Sequence, residues 1–277
     1  KTIDNDLALT DHTPVYGSAA KYIGTSMKEI IRDGISMIQP KGNVTIVEIM
    51  GRNAGWLTGA TALSKGEDCD GPDLIYLPEV PFDIQKFGER VRDLLKNRTF
   101  VCVAVSEGIR DKDGKYICDY GDSVDFVDAF GHKQLSGTAT FLAGYIKGEI
   151  GCKTRAIELS SMQRSASHLA SRIDILEATQ VGGAAVKAAD EGDTGKMVVL
   201  KRVSDDPYQC STEVKDVHRI ANDEKCVPLD WITEDGSYVT DAFVSYVEPL
   251  IQGDVYPIIV SGIPRHLYAP KELNHWK

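Results

Sequence analysis

Thr2-Ile3-Asp4-Asn5-Asp6 sets two carboxylates two residues apart, with a hydroxyl before them and an amide between. Phosphoryl transfer to an alcohol uses such a pair. One carboxylate accepts the proton of the attacking hydroxyl, and the second helps hold magnesium on the phosphates, directly or through water. The same stretch also suits an Asx turn, in which Asp and Asn satisfy backbone donors. Met50-Gly51-Arg52 offers a glycine for close backbone approach and a guanidinium for an anion. Asn53, expected at a helix start, adds an anion-friendly terminus. Glu107 suits sugar hydroxyls, and Arg155 and Arg164 suit a phosphate. Each residue alone reads equally well as a solvated charge.

The elements around them give these residues a common address. Residues 44–49 (VTIVEI), 73–77 (DLIYL), 99–106 and 155–159 read as strands. Helical patterns are expected over 53–65, capped at Asn53, over 83–97 with Ile84, Phe87, Val91, Leu94 and Leu95 along one side, and over 134–148. Asp113-Gly114 predicts a hairpin turn closing on Tyr116-Ile117. A long helical segment, 167–191, is expected to be interrupted at Gly182-Gly183, followed by a strand at 196–201 and a helix at 238–251. The stretch 204–230 shows the least regular pattern and reads as an insertion or tail excursion. Strand and helix in alternation imply an α/β fold, a mostly parallel sheet with helices on both faces. Ligands of such sheets bind beyond the carboxyl ends of the strands. Met50–Arg52, Ser106–Gly108 and Ser160–Arg164 would converge there. Arg155 precedes its strand whereas Arg164 follows it, roughly 15 Å away. The two can share a pocket only across a subunit interface.

Composition narrows the function further. The 277 residues carry 41 acidic and 31 basic side chains, a net charge of −10. That balance argues against nucleic acid as a partner, which requires clustered Lys and Arg. It also makes any phosphate site depend on a local positive cluster. No apolar run reaches the roughly 20 residues of a membrane span. The six cysteines form no CxxC and no zinc-like pairing with His, so they read as reduced thiols of a cytoplasmic protein. The six histidines show no HxxxH or HExxH spacing and are assigned structural or surface roles.

KTIDND, IVEIMGRNAGWLTG, VAVSEG and TRAIELSSMQR, in this order, resemble 6-phosphofructokinase, well over residues 1–172 and loosely beyond. The resemblance implies phosphoryl transfer to the 1-hydroxyl of fructose 6-phosphate, with Mg2+ and a homo-oligomer sharing its site. It implies that Asp4 is the base, that Thr2 and Ile3 line the sugar and that Asp6 lies near the metal. Met50, Gly51 and Arg52 would contact the sugar phosphate, with Arg52 also balancing charge on the transferred group. Glu107 would bind sugar hydroxyls, and Arg155 would reach a neighbouring subunit's 6-phosphate. Ser161, Met162, Gln163 and Arg164 would complete the site. Two departures stand out: Ser161 where the family often has His or Tyr, and Asn43 where it often has a second interface arginine.

Lys1 bears on the donor, because pyrophosphate users commonly carry Lys before TIDND. Pyrophosphate is therefore favoured, with ATP the alternative. By the same resemblance the chain is expected to be a fragment lacking the N-terminal donor-binding portion, inactive alone. An alternative reading is a non-catalytic sugar-phosphate-binding or oligomerising module. Its expected parts are the catalytic loop and connecting helix (1–40), the fructose 6-phosphate domain (41–163), and the return to the donor domain with C-terminal elements (164–277).

Overall fold

The computed structural model describes residues 3–37, 39–121 and 135–266. A loop over 3–15 leads into α1 (Tyr16–Ser36), whose buried stripe of Tyr16, Ala20, Ile23, Met27 and Ile31 keeps to one helix face. The first turn of α1 has no cap of its own. Asp174 supplies one from far along the chain, accepting the backbone N–H groups of Val15 at 2.6 Å and Ser18 at 2.9 Å. A carboxylate there answers both the orphan donors and the helix dipole.

β1 (Asn43–Ile49), α2 (Trp56–Gly59), β2 (Leu74–Tyr76), α3 (Ile84–Leu95), β3 (Phe100–Ser106), α4 (Thr138–Ile150) and β4 (Lys153–Glu158) follow in chain order. The four strands form one parallel sheet in the order β2-β3-β1-β4. β1 and β3 are buried along their whole length. Phe100, Cys102 and Ala104 of β3 enter the same core as α1, whereas Val101, Val103 and Val105 enter a second core with α3 and α4. Helices thus cover both faces, which is why these strands read as continuous apolar runs.

Beyond the sheet lie α5 (Met162–Ser165), α6 (Arg172–Asp190), the antiparallel strands β5 (Lys196–Asp205) and β6 (Tyr208–Asp216), and α7 (Asp241–Val247). Trp56 meets Trp231, Phe243 and Tyr246 with ring centroids 5.2–6.1 Å apart. This aromatic cluster draws 231–246 against the segment that follows β1.

Three expectations change. The helix after β1 starts at Trp56, because the Asn53 side chain bonds elsewhere and Gly55 precedes the helix without a side-chain cap. α6 continues through Gly182-Gly183 without a break. The stretch read as irregular from 204 onward instead carries the end of β5 and all of β6. The expected helix start at Gln134 lies outside the described residues. No helix among the described residues is long and apolar enough to cross a membrane, and no disulfide joins the described cysteines.

Candidate active site

Because the sheet is parallel, β1, β3 and β4 end together. Ile49 lies opposite Ser106, and Glu48 opposite Glu158. The residues just past these ends are tied to one another. The Ser106 hydroxyl donates to the Gly51 carbonyl, and the Gly51 N–H reaches Glu107 Oε1 at 3.3 Å. The Met50 N–H reaches Gln163 Oε1 at 3.3 Å, while Gln163 Nε2 donates to the Ser160 carbonyl at 2.9 Å. Two glycines make this packing possible. Gly51 has φ +146°, and a Cβ on Gly108 would stand 1.9 Å from the Arg52 carbonyl oxygen.

The Asp4–Asp6 loop faces these strand ends. Asn5 between them is fully buried and left-handed at φ 59°, a conformation Asn tolerates better than most residues. Its Nδ2 donates to the Tyr246 hydroxyl at 3.0 Å and its Oδ1 accepts the Thr13 N–H at 2.9 Å. Asn5 therefore makes the turn, and Asp4 and Asp6 are left half-buried on either side. The turn reading and the chemical reading describe different residues of one motif.

Both carboxylates line a cleft of about 580 Å³ with Met50, Arg52, Asn53, Ala54, Glu107, Arg110, Tyr116 and Glu224. Burial raises the Asp6 carboxyl above its ordinary range, and the charges of Asp4 and Glu224 push the same way. Burial, joined by the charge of Asp4, brings Glu107 up to about 7 against the opposing Gly51 N–H and Arg52.

The other candidates divide. Gln163 is buried beneath the strand ends, but Ser161, Met162 and Arg164 are exposed and do not line this cleft. The Ile3 side chain packs into the α1 core. Arg155 lies opposite Thr45, toward the far end of the sheet, and its Nη1 meets Asp33 Oδ2 at 3.3 Å. Asn43 is also remote from the cleft, closing the end of α1 by donating to the Met37 carbonyl at 2.7 Å. Lys1 and Thr2 lie outside the described residues.

Among the described residues, no three His, Cys, Asp or Glu side chains cluster closely enough to cage a metal. Asp4, Asp6 and Glu224 nonetheless line the same cleft and are all hard oxygen donors. The like charges of Asp4 and Glu224 around Asp6 favour a cation beside it. This set fits magnesium, which commonly takes one or two carboxylates together with substrate phosphates.

The phosphofructokinase family profile matches residues 1–189. The chain belongs to the phosphofructokinase family. It is similar to the pyrophosphate–fructose 6-phosphate 1-phosphotransferase of Halomonas elongata, with 42% identity over 96% of this chain and 62% of the relative. The enzyme of that name from Xanthomonas campestris pv. campestris is 41% identical, over 100% of this chain and 67% of its own. The crystal structure of a pyrophosphate-dependent phosphofructokinase from Nitrosospira multiformis matches with a TM-score of 0.84 and 36% identity. That match covers 96% of this chain and 62% of the other. The chain thus spans less than two thirds of the first of these relatives.

On this phosphofructokinase scaffold, Arg110, Tyr116 and Glu224 of the cleft lining, and Lys225 bonded to the Asp6 backbone, were not among the sequence candidates. Arg110 and Tyr116 flank the predicted Asp113-Gly114 turn and pair across it, so the hairpin signal held their proximity. Nothing in the sequence announced Glu224 and Lys225. The Lys225 N–H donates to the Asp6 carbonyl at 2.7 Å, and its ammonium donates to the carbonyls of Thr10 and Asp11. Burial brings that ammonium down to about 8.

One carboxyl beneath the phosphofructokinase site gives a pH prediction. Glu48 accepts the Ala139 N–H at 2.8 Å at the start of α4. Burial and the nearby charges of Glu158 and Glu107 nevertheless bring it from 4.5 up to about 7. The folded state then binds more protons than the unfolded state between these values. Its contribution to stability is present below about 4.5 and lost as pH rises through about 7. Glu48→Gln is expected to flatten the loss of stability from pH 5 to pH 8, as read by urea unfolding. Parallel pH curves for the two proteins would refute the assignment.

Proposed function

We propose that the intact protein transfers a phosphoryl group from pyrophosphate to the 1-hydroxyl of fructose 6-phosphate, giving fructose 1,6-bisphosphate and phosphate. One observation carries this reading: Asp4 and Asp6 share a cleft with Arg52 and Glu107 at the carboxyl ends of the strands. The named relatives favour pyrophosphate as donor. The sugar O1 forms the new bond to phosphorus as the bond to the leaving phosphate breaks, and Asp4 takes the O1 proton. Arg52 balances charge on the transferred group, and the ionised form of Glu107 accepts sugar hydroxyls. Ser106 and Gln163 hold the Met50–Gly51 backbone where a substrate passes close. Asp6, aided by Asp4, would hold magnesium, which when bound neutralises charge on the donor phosphates.

Arg155, exposed at the edge strand, is assigned to the 6-phosphate of a neighbouring subunit. Arg164 is assigned to the 6-phosphate bound in its own subunit, with Ser161 and Met162 completing the site and Ile3 and Thr2 lining the sugar. Lys1 is assigned to the pyrophosphate. We place this activity in cytoplasmic glycolysis, in a homo-oligomer. The sugar phosphate falls to 41–163, the catalytic loop and connecting helix to 1–40, and the return to the donor domain to 164–277.

Steady-state rates with pyrophosphate and with ATP, at matched free magnesium, test the reading. Turnover of fructose 6-phosphate is expected to be at least about tenfold faster with pyrophosphate, a difference of about 1.4 kcal/mol in barrier. Turnover with ATP alone would reassign the donor. Turnover with neither would sink the reaction.

A further inference from the structure

We propose that Arg110 is a further phosphate-binding residue of this cleft, a role that rests on the phosphoryl-transfer reading. Its side chain is oriented but unneutralised. Nη2 donates to Asn53 Oδ1 at 2.7 Å and to the Tyr116 hydroxyl at 2.6 Å. The guanidinium carbon lies 4.4 Å from the Tyr116 ring centroid. Both hydrogen-bond acceptors are neutral. Among the described residues no carboxylate forms an ion pair with Arg110, and no acceptor takes the donors on Nη1. The Nε–H is buried without any partner.

A purely structural arginine closing a hairpin has no reason for this arrangement. Buried donors are ordinarily satisfied, and one left orphaned is destabilising. Four carboxylates line the same cleft, from Asp4, Asp6, Glu107 and Glu224. Glu224 is held at one remove, accepting from Asn53 Nδ2 at 2.7 Å while Asn53 Oδ1 accepts from Arg110. Asn53 thus separates the guanidinium from the carboxylate that would otherwise neutralise it. Nη1 keeps its donors for a phosphate oxygen, held in place by the two bonds that Nη2 makes. Within a protein of net charge −10, such a cation offers an anion what Arg52 alone would have to supply.

The ligand chemistry is a phosphate oxygen, borne by pyrophosphate or by the sugar phosphate. Calorimetric titration of the intact protein with magnesium pyrophosphate, and separately with fructose 6-phosphate, distinguishes the two. Arg110→Gln is expected to weaken at least one of them by roughly 10–100-fold, the range for hydrogen bonds to a charged group. Arg110→Lys keeps the charge and the stem but loses the planar donors that bond Asn53 and Tyr116, and should fall between. It also serves if the glutamine variant fails to fold. Tyr116→Phe, which removes one of the two bonds from Nη2 but keeps the ring, is expected to cost less.

Unchanged affinity for both ligands in a folded Arg110 variant, while Arg52→Gln loses one of them, overturns this inference and leaves the phosphoryl-transfer reading standing. Failure of the unsubstituted protein to bind either ligand overturns that reading, and the role of Arg110 with it. A lowered melting temperature with affinity intact would mark Arg110 as merely structural.

Discussion

Asp4→Asn in the intact protein is expected to lower turnover of fructose 6-phosphate by about 10²–10⁴-fold, the usual worth of general-base help. Sugar binding should change only a few-fold. The asparagine keeps the size and the hydrogen-bonding capacity of the aspartate but cannot accept the hydroxyl proton. A second readout separates this loss from a disturbed loop. The charge of Asp4 is one of the forces that raise Glu107 to about 7. Removing it should move the Glu107 titration downward, which a pH series of fructose 6-phosphate affinity would register. A variant with near-normal turnover would remove Asp4 from the role of base. A slow variant with an unmoved Glu107 would show that the two groups do not interact as the structure places them.

Gly108→Ala is expected to damage the site almost as severely without touching a charged group. The added methyl carbon would stand 1.9 Å from the Arg52 carbonyl oxygen and 2.5 Å from its carbon. Those atoms are backbone, so no side-chain rotation relieves the clash, and the segment carrying Arg52 must move. Overpacking of this kind typically costs about 1–3 kcal/mol of stability. A displacement of about 1 Å in a positioned group can cost 10²-fold in rate. We expect kcat/KM to fall by about 10²-fold while chemical unfolding shows the smaller loss. Equal falls in the two quantities, or wild-type kinetics, would mean that the strand end accommodates the methyl elsewhere.

The sequence was most informative where burial is complete. β1 and β3 are covered on both faces, so their apolar runs match the observed strands to within a residue or so. Asp83 at the start of α3 likewise does what its position suggests, accepting the N–H groups of Gln85 and Lys86. The strand expected at 196–201 is the first part of β5, but β6 and its pairing with β5 were missed because most of those residues are exposed or half-exposed. Little apolar alternation survives where neither face is fully covered. At Gly182-Gly183 the intrinsic penalty is about 1 kcal/mol per glycine, and the 19-residue α6 runs on regardless. Within the site, Asp4, Arg52, Glu107 and Gln163 were legible because they sit at strand ends or in a carboxylate pair. Glu224 and Lys225 were not, since only the folded chain brings them to the loop.

Asn5 and Tyr246, bonded across 241 residues, bear on the order in which the molecule acquires its shape. During synthesis the acidic loop emerges long before the residues that fix its turn. Tyr246 and Lys225 must both arrive before Asp4 and Asp6 can be held apart on one side. Closure of so distant a contact is slow relative to the local helices, because the chain entropy between its ends must be lost first. Nascent or partly folded forms would therefore carry the acidic motif in an unformed state. Competence should appear late in refolding, in step with docking of the 231–246 segment around Trp56 rather than with formation of the parallel sheet.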